Sequence, residues 1–97
     1  MSAATGAKPI ILEEFLDTIS VFPNPFENDL TVKVDALESE VVTIQLYNLM
    51  SQLLFTKKFN VTEGINLLKI SPKVATGTYL IQVKMNGNTV ISKVVKK

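Results

Sequence analysis

The residues able to do chemistry are few in this chain, and they are poorly spaced for it. There are nine carboxylate side chains and ten lysines, but no histidine, no cysteine and no arginine. Without histidine the chain lacks the commonest general base and the commonest metal ligand. Without cysteine it can form neither a disulfide framework nor a thiolate metal site. Glu13 and Glu14 are sequence neighbours in a linker-like stretch, Glu27 and Asp29 fall in the turn after two prolines, and Glu38 and Glu40 bracket another turn. A retaining glycosidase needs two carboxylates about 5 Å apart across a cleft, and there is no tryptophan here to stack a sugar. Glu27-Asn28-Asp29 could offer oxygens to Ca²⁺, but it matches no EF-hand spacing and reads as a solvated turn. No P-loop, GxSxG or HExxH motif occurs. The reading is non-enzymatic, with no cofactor and no metal.

Partner classes narrow in the same way. A net charge of +1 gives no field to gather nucleic acid or anionic lipid. The lack of arginine removes bidentate contacts to phosphate or guanine. No apolar run approaches the ~20 residues of a membrane span, and MSAATGAKP does not resemble a signal peptide. A 97-residue chain that is 46% hydrophobic reads as one globular domain.

The elements follow from periodicity. Residues 1–17 read as an expression remnant and linker, and residues 18–97 as the domain. Within the former, Leu12, Phe15 and Leu16 sit at helical spacing behind Pro9, so residues 10–16 read equally as a short helix or an extended linker. From Thr18 onward the period is two. Leu30, Val32 and Val34 alternate with polar neighbours, as do Val42, Ile44 and Leu46. Residues 52–59 form a less regular strand, with Leu53, Phe55 and Phe59 expected on one face, Lys57 intruding and room for a bulge. Gly64 opens a strand with Asn66, Leu68 and Ile70 facing one way, and Gly77 opens another with Tyr79, Ile81, Val83 and Met85. Counting residues 18–22, the pattern predicts a seven-stranded immunoglobulin-like β-sandwich.

Asn86-Gly87 is the strongest hairpin signal in the chain and predicts a type I′ turn. A two-residue loop sets Val83 opposite Val90, Ile81 opposite Ser92 and Tyr79 opposite Val94. A three-residue loop would bring Lys93 opposite Ile81 on the buried face, where an unpaired charge is costly. The two-residue register is therefore expected, and it leaves Leu80, Ile91 and Val95 on the outward face with Lys93 among them. That apolar cluster is either a contact surface or is covered by a loop, the N-terminal segment or a larger host protein. The final strand runs into Lys96-Lys97, which would also discourage edge pairing.

Six segments in order look familiar: VFPNPF, then ENDLTVKV, VVTIQLYNLMSQLL, EGINLLKI, VATGTYLIQV and NTVISKVVKK. Together they resemble the type IX secretion C-terminal sorting domain, type A, of the Bacteroidota. No single segment is specific; their order and spacing across residues 20–97 is. One departure is Ser51-Gln52, where the family commonly has glycine. If that position requires φ > 0, Ser51 carries about 1 kcal/mol of strain.

The resemblance implies a C-terminal label on a larger secreted precursor, so that this chain would be a fragment. The precursor would fold in the periplasm and cross the outer membrane to the cell surface or medium. Its partners would be the translocon, shuttle and sortase proteins and an upstream cargo domain, with the sortase cut expected between Ala7 and Thr18. Recognition is expected at Leu80, Ile91, Lys93, Val95, Lys96 and Lys97. Structural roles are expected for Pro23, Asn24 and Pro25 as a hinge, Gly64 and Asn66 at a strand start, Gly77 for an unusual backbone, Tyr79 in the core, and Asn86 and Gly87 in the turn. Two other readings stay open: a carbohydrate-binding or adhesive sandwich, with Tyr47 the outward aromatic available to it, and an inert immunoglobulin-like spacer. An isolated sandwich with open edges is also expected to be capable of pairing with a second copy.

Overall fold

The computed structural model describes residues 18–97, so the readings for residues 1–17 and the expected cut site lie outside the described residues. Seven strands form: β1 Ile19–Phe22, β2 Leu30–Ala36, β3 Glu40–Asn48, β4 Leu53–Val61, β5 Gly64–Ile70, β6 Gly77–Met85 and β7 Asn88–Lys96. They make a three-stranded sheet, β1-β2-β5, and a four-stranded sheet, β4-β3-β6-β7, with every neighbouring pair of strands antiparallel. This is an immunoglobulin-like β-sandwich.

The period-two pattern produces the core directly. Leu30, Val32 and Val34 of β2 are fully buried, as are Val42, Ile44 and Leu46 of β3 and Ile81 of β6, while their polar alternates face outward. A flat sheet face cannot exclude water alone, so each sheet buries its apolar side against the other. No charged or polar residue is buried among the described residues.

The hairpin register is the one the lysine argument selects: Val83 faces Val90, Ile81 faces Ser92 and Tyr79 faces Val94. Asn86 has φ 53 and Gly87 φ 79, the two left-handed residues that a type I′ turn requires. Tyr79 is buried, and its hydroxyl donates to the Ala75 carbonyl at 2.5 Å. A tyrosine early in the sixth strand bonding back to the preceding corner is the tyrosine-corner device of immunoglobulin-like sandwiches. Gly77 holds φ 158, a positive value that L side chains rarely adopt, although an added Cβ would meet the Tyr79 hydroxyl at an ordinary 3.7 Å.

The fourth strand departs from expectation in one respect. Its pairing with β3 shifts between Leu46 and Tyr47, so that Phe55 faces Leu46 while Leu53 faces Tyr47. The extra residue, Leu54, is a bulge, and it moves Leu53 to the outward side, away from Phe55 and Phe59. Lys57 stays on the inner side of this edge strand but is exposed, with its ammonium 5.0 Å from the centre of the Phe59 ring. An inward-pointing charge on an edge strand discourages a further strand from pairing there.

The β3–β4 turn is organised by Asn48. Its side-chain oxygen accepts from the backbone N–H of Met50 at 2.9 Å and of Gln52 at 3.0 Å, and its own N–H donates to the Gln52 carbonyl. Ser51 donates its N–H to the Asn48 carbonyl and adopts φ 67. A left-handed residue after such a turn is the position that glycine fills without a Cβ penalty. Ser51→Gly should therefore raise stability by about 1 kcal/mol, seen as a rise of several degrees in the thermal midpoint. A lower midpoint would show that the serine is unstrained.

Candidate functional site

The proline-rich segment ahead of β2 determines how the chain ends. After Phe22 the chain leaves the three-stranded sheet, and both X–Pro bonds of Phe22-Pro23 and Asn24-Pro25 are cis. Neither proline can donate to a ladder, and the Asn24 side chain takes over that task. Its Nδ2 donates to the Lys93 carbonyl at 3.0 Å, and its Oδ1 accepts from the Val95 N–H at 2.9 Å. Two residues on, Phe26 donates its N–H to the Val95 carbonyl and accepts from the Lys97 N–H, both at 2.8 Å, forming a parallel bridge with Lys96. The Phe26 ring is fully buried. The segment expected to be a hinge is a clamp on the free edge of the last strand.

The other structural positions carry local roles. The Asn66 amide donates to the carbonyls of Thr62 and Gly64 at 2.7 and 3.0 Å, and its oxygen accepts from the Thr62 N–H at 3.2 Å. This locks the β4–β5 turn, in which Gly64 holds φ 103. Asp29 accepts from the Ser71 hydroxyl at 2.5 Å and lies 3.7 Å from the Lys69 ammonium, so its oxygens are already engaged. No cluster of three or more histidine, cysteine or acidic side chains suited to a metal occurs among the described residues.

The six residues expected to be recognised divide into three places. Leu80, Lys93, Ile91 and Val95 share the outward face of the four-stranded sheet, with Leu80 opposite Lys93, Gln82 opposite Ile91 and Thr78 opposite Val95. Ile91 is 58% exposed, while Leu80 and Val95 are half-buried. Lys96 falls on the inner side by strand alternation, opposite Gly77, and its ammonium donates to the Lys97 carbonyl. It lines a separate hollow with Asn28, Ser71 and Pro72. Lys97 lies past the end of β7 and borders an open depression near Pro23, Pro25 and Glu27.

Leu80 and Ile91 border a shallow hollow of about 200 Å³ completed by Tyr47, Ser51 and Gln82. The Tyr47 hydroxyl donates to the Gln45 side-chain oxygen at 3.1 Å, on the same outward side. Tyr47, Ser51 and Gln82 were not among the residues expected here. Gln82 stands opposite Ile91 within the hairpin itself; only the pairing of β3 beside β6 joins Tyr47 and Ser51 to it, although the outward alternation of Tyr47 gave a partial signal. The four strands of this sheet place no Asp or Glu outward, whereas Lys58, Lys84 and Lys93 do stand there. Such a surface has hydrogen-bonding amides, an apolar hollow and a positive surround. No histidine, cysteine, aspartate or glutamate lines the hollow.

The comparisons fit this geometry. The family described as secretion system C-terminal sorting domain matches residues 20–97. The chain belongs to that family. The matched span begins within β1 and includes the clamp, all three asparagine-organised turns and β7. No curated protein matches the chain. Among solved structures it is similar to the crystal structure of Parabacteroides merdae β-glucuronidase, at 19% identity and a TM-score of 0.42. A second structure of that enzyme, with glycerol in its active site, gives 19% and 0.40. The matches cover 81% of this chain but only 13% and 12% of the enzyme. A likeness this slight carries no argument about this sorting domain.

If the Asn24 amide is what ties the entrance to β7, Asn24→Ala should destabilise the domain by about 1–2 kcal/mol. Amide exchange at Val95 should speed up before that at Val83. Equal acceleration at both positions would show that the amide serves the whole fold rather than this edge.

Proposed function

We propose that this sorting domain is a non-catalytic address label, read through the outward face of its last hairpin around Leu80, Ile91, Lys93 and Val95. The family assignment supports the coarse part of the reading: a C-terminal signal for type IX secretion across the outer membrane, acting with that machinery on a larger precursor. The translocon and shuttle proteins recognise the folded domain in the periplasm, and a cell-surface sortase then removes it from its cargo.

One observation supports the choice of surface. Ile91 is 58% exposed beside a hollow shared with Leu80 and Tyr47, in a strand whose other face buries Val90 and Val94 in the core. A large apolar group held in water on an ordered edge strand is a feature of contact surfaces. On the four-stranded sheet the carbohydrate-binding alternative has Tyr47 as its one outward aromatic, half-buried and tied to Gln45, while the outward Phe22 lies on the other sheet. Sugar sites usually present a broader aromatic platform.

A fluorescent reporter carrying its own signal peptide and fused to residues 8–97 should reach the surface or medium of a type IX-competent bacterium. It should stay in the periplasm of a strain lacking the translocon. Retention in both strains, with the fusion folded, would leave the spacer and sugar-binding readings standing. Ile91→Glu should abolish export while changing stability by no more than about 0.5 kcal/mol, as expected of an exposed position. A large drop in stability would show instead that Ile91 supports the fold.

A further inference from the structure

The hydrogen bonds at the clamp show which way the backbone of β7 points. Val95 turns both its N–H and its C=O toward residues 24–26, and Lys93 turns its C=O the same way. The β6–β7 register is unbroken from Gly77↔Lys96 to Met85↔Asn88. Antiparallel pairing alternates strictly between residues that bond the neighbour and residues that do not. Thr89, Ile91 and Lys93 therefore also point away from β6, toward the free edge. β7 is the last strand of its sheet, and no other described residue bonds Thr89, Ile91 or the Lys93 N–H at that edge. The clamp covers residues 93–97 and stops there.

The remaining edges differ. β1 is four residues long, β4 carries the inward Lys57, and β5 is an open seven-residue edge that no described segment has joined. On β7 the chain itself demonstrates that the edge accepts a neighbour, since one half is already paired with its own entrance segment. The open half carries no inward charge, since Val90 and Ser92 face inward; its outward side chains are Thr89, exposed Ile91 and Lys93.

We propose that residues 89–93 of β7 are completed by an extended segment of a partner protein, added as a further strand to the four-stranded sheet and continuing the line of the clamp. Backbone pairing supplies the attachment, and alternate side chains supply selectivity. On the outward side the added strand would place an apolar residue beside Ile91 and an acidic residue beside Lys93. Carboxylates suit this face because it already holds Lys58, Lys84 and Lys93 with no acidic residue among its outward strand positions. The inference names the partner contact of the proposed recognition surface, and it rests on the sorting reading only for its cellular readout.

The test separates the Ile91 donor from its side chain. Because the Ile91 N–H does not bond β6, proline there removes no hydrogen bond of the fold, and edge positions tolerate proline. Ile91→Ala strips away more of the side chain but keeps the donor. In the reporter fusion, Ile91→Pro should be exported at least tenfold less than Ile91→Ala. Equal export of the two, or better export of the proline variant, would overturn strand addition while leaving the sorting reading intact. Failure of the unsubstituted fusion to be exported would instead defeat the sorting reading.

Amide exchange on the unsubstituted chain provides a check should the proline variant not fold. Exchange at Thr89, Ile91 and Lys93 should be fast in the free full chain and slow at least tenfold on outer membranes from a type IX-competent strain, with binding established by co-sedimentation. Unchanged exchange in the bound chain would overturn the proposal. So would slow exchange in the free chain, which would mean that a second copy or another segment of the same chain already occupies the edge.

Discussion

The pairing of the Asn24 amide and the Phe26 backbone with β7 is the constraint on which the arrangement depends. It joins the first and last parts of the domain, which are about 70 residues apart (|i−j| of 69 and 71 for the two amide bonds), and it spans the two sheets. Proline supplies the stiff geometry but removes backbone donors, so a strand of ordinary residues could not both kink here and pair. A side-chain amide carries one donor and one acceptor in the relation a peptide group has. Placed between two prolines, it replaces the peptide bonding that they forfeit. The buried Phe26 ring then holds the amide in place through packing.

Asparagine repeats this logic elsewhere in the chain. Asn48 closes the β3–β4 turn through its side-chain oxygen, Asn66 locks the β4–β5 turn with three hydrogen bonds, and Asn86 takes a left-handed turn conformation. Asn48 and Asn66 fall in segments that carry the family resemblance, and in the structure all three asparagines serve backbone geometry. The recognisable motifs are thus the punctuation of the fold. The surface that a partner could read lies between them, in residues with no motif of their own.

That division follows from how a sandwich manages its edges. A closed barrel has none, but an open pair of sheets must shorten, charge or cover each one. Here β1 is short, β4 bears an inward lysine, β5 carries the exposed Lys69, and β7 is covered over part of its length by the chain entering the domain. Partial covering leaves ordered strand with its backbone groups turned to solvent, next to the one outward face free of acidic residues. Fold economy and surface chemistry meet on the same strand.

The sequence by itself determined the strands, their order and the last hairpin's register. A period of two dictates which side chains face inward, and a lysine facing the core excludes the competing loop length. The family resemblance marked Ser51 as a position where glycine is usual, and its φ of 67 shows why. Two things were decided only by tertiary structure. Leu53 lies outward because a bulge opposite Tyr47 shifts the register, and single-strand periodicity carries no record of an added residue. Asn24 clamps the last strand because its partners are Lys93 and Val95. A side-chain amide shows no preference for so distant a partner until the two sheets have packed and brought them within hydrogen-bonding reach.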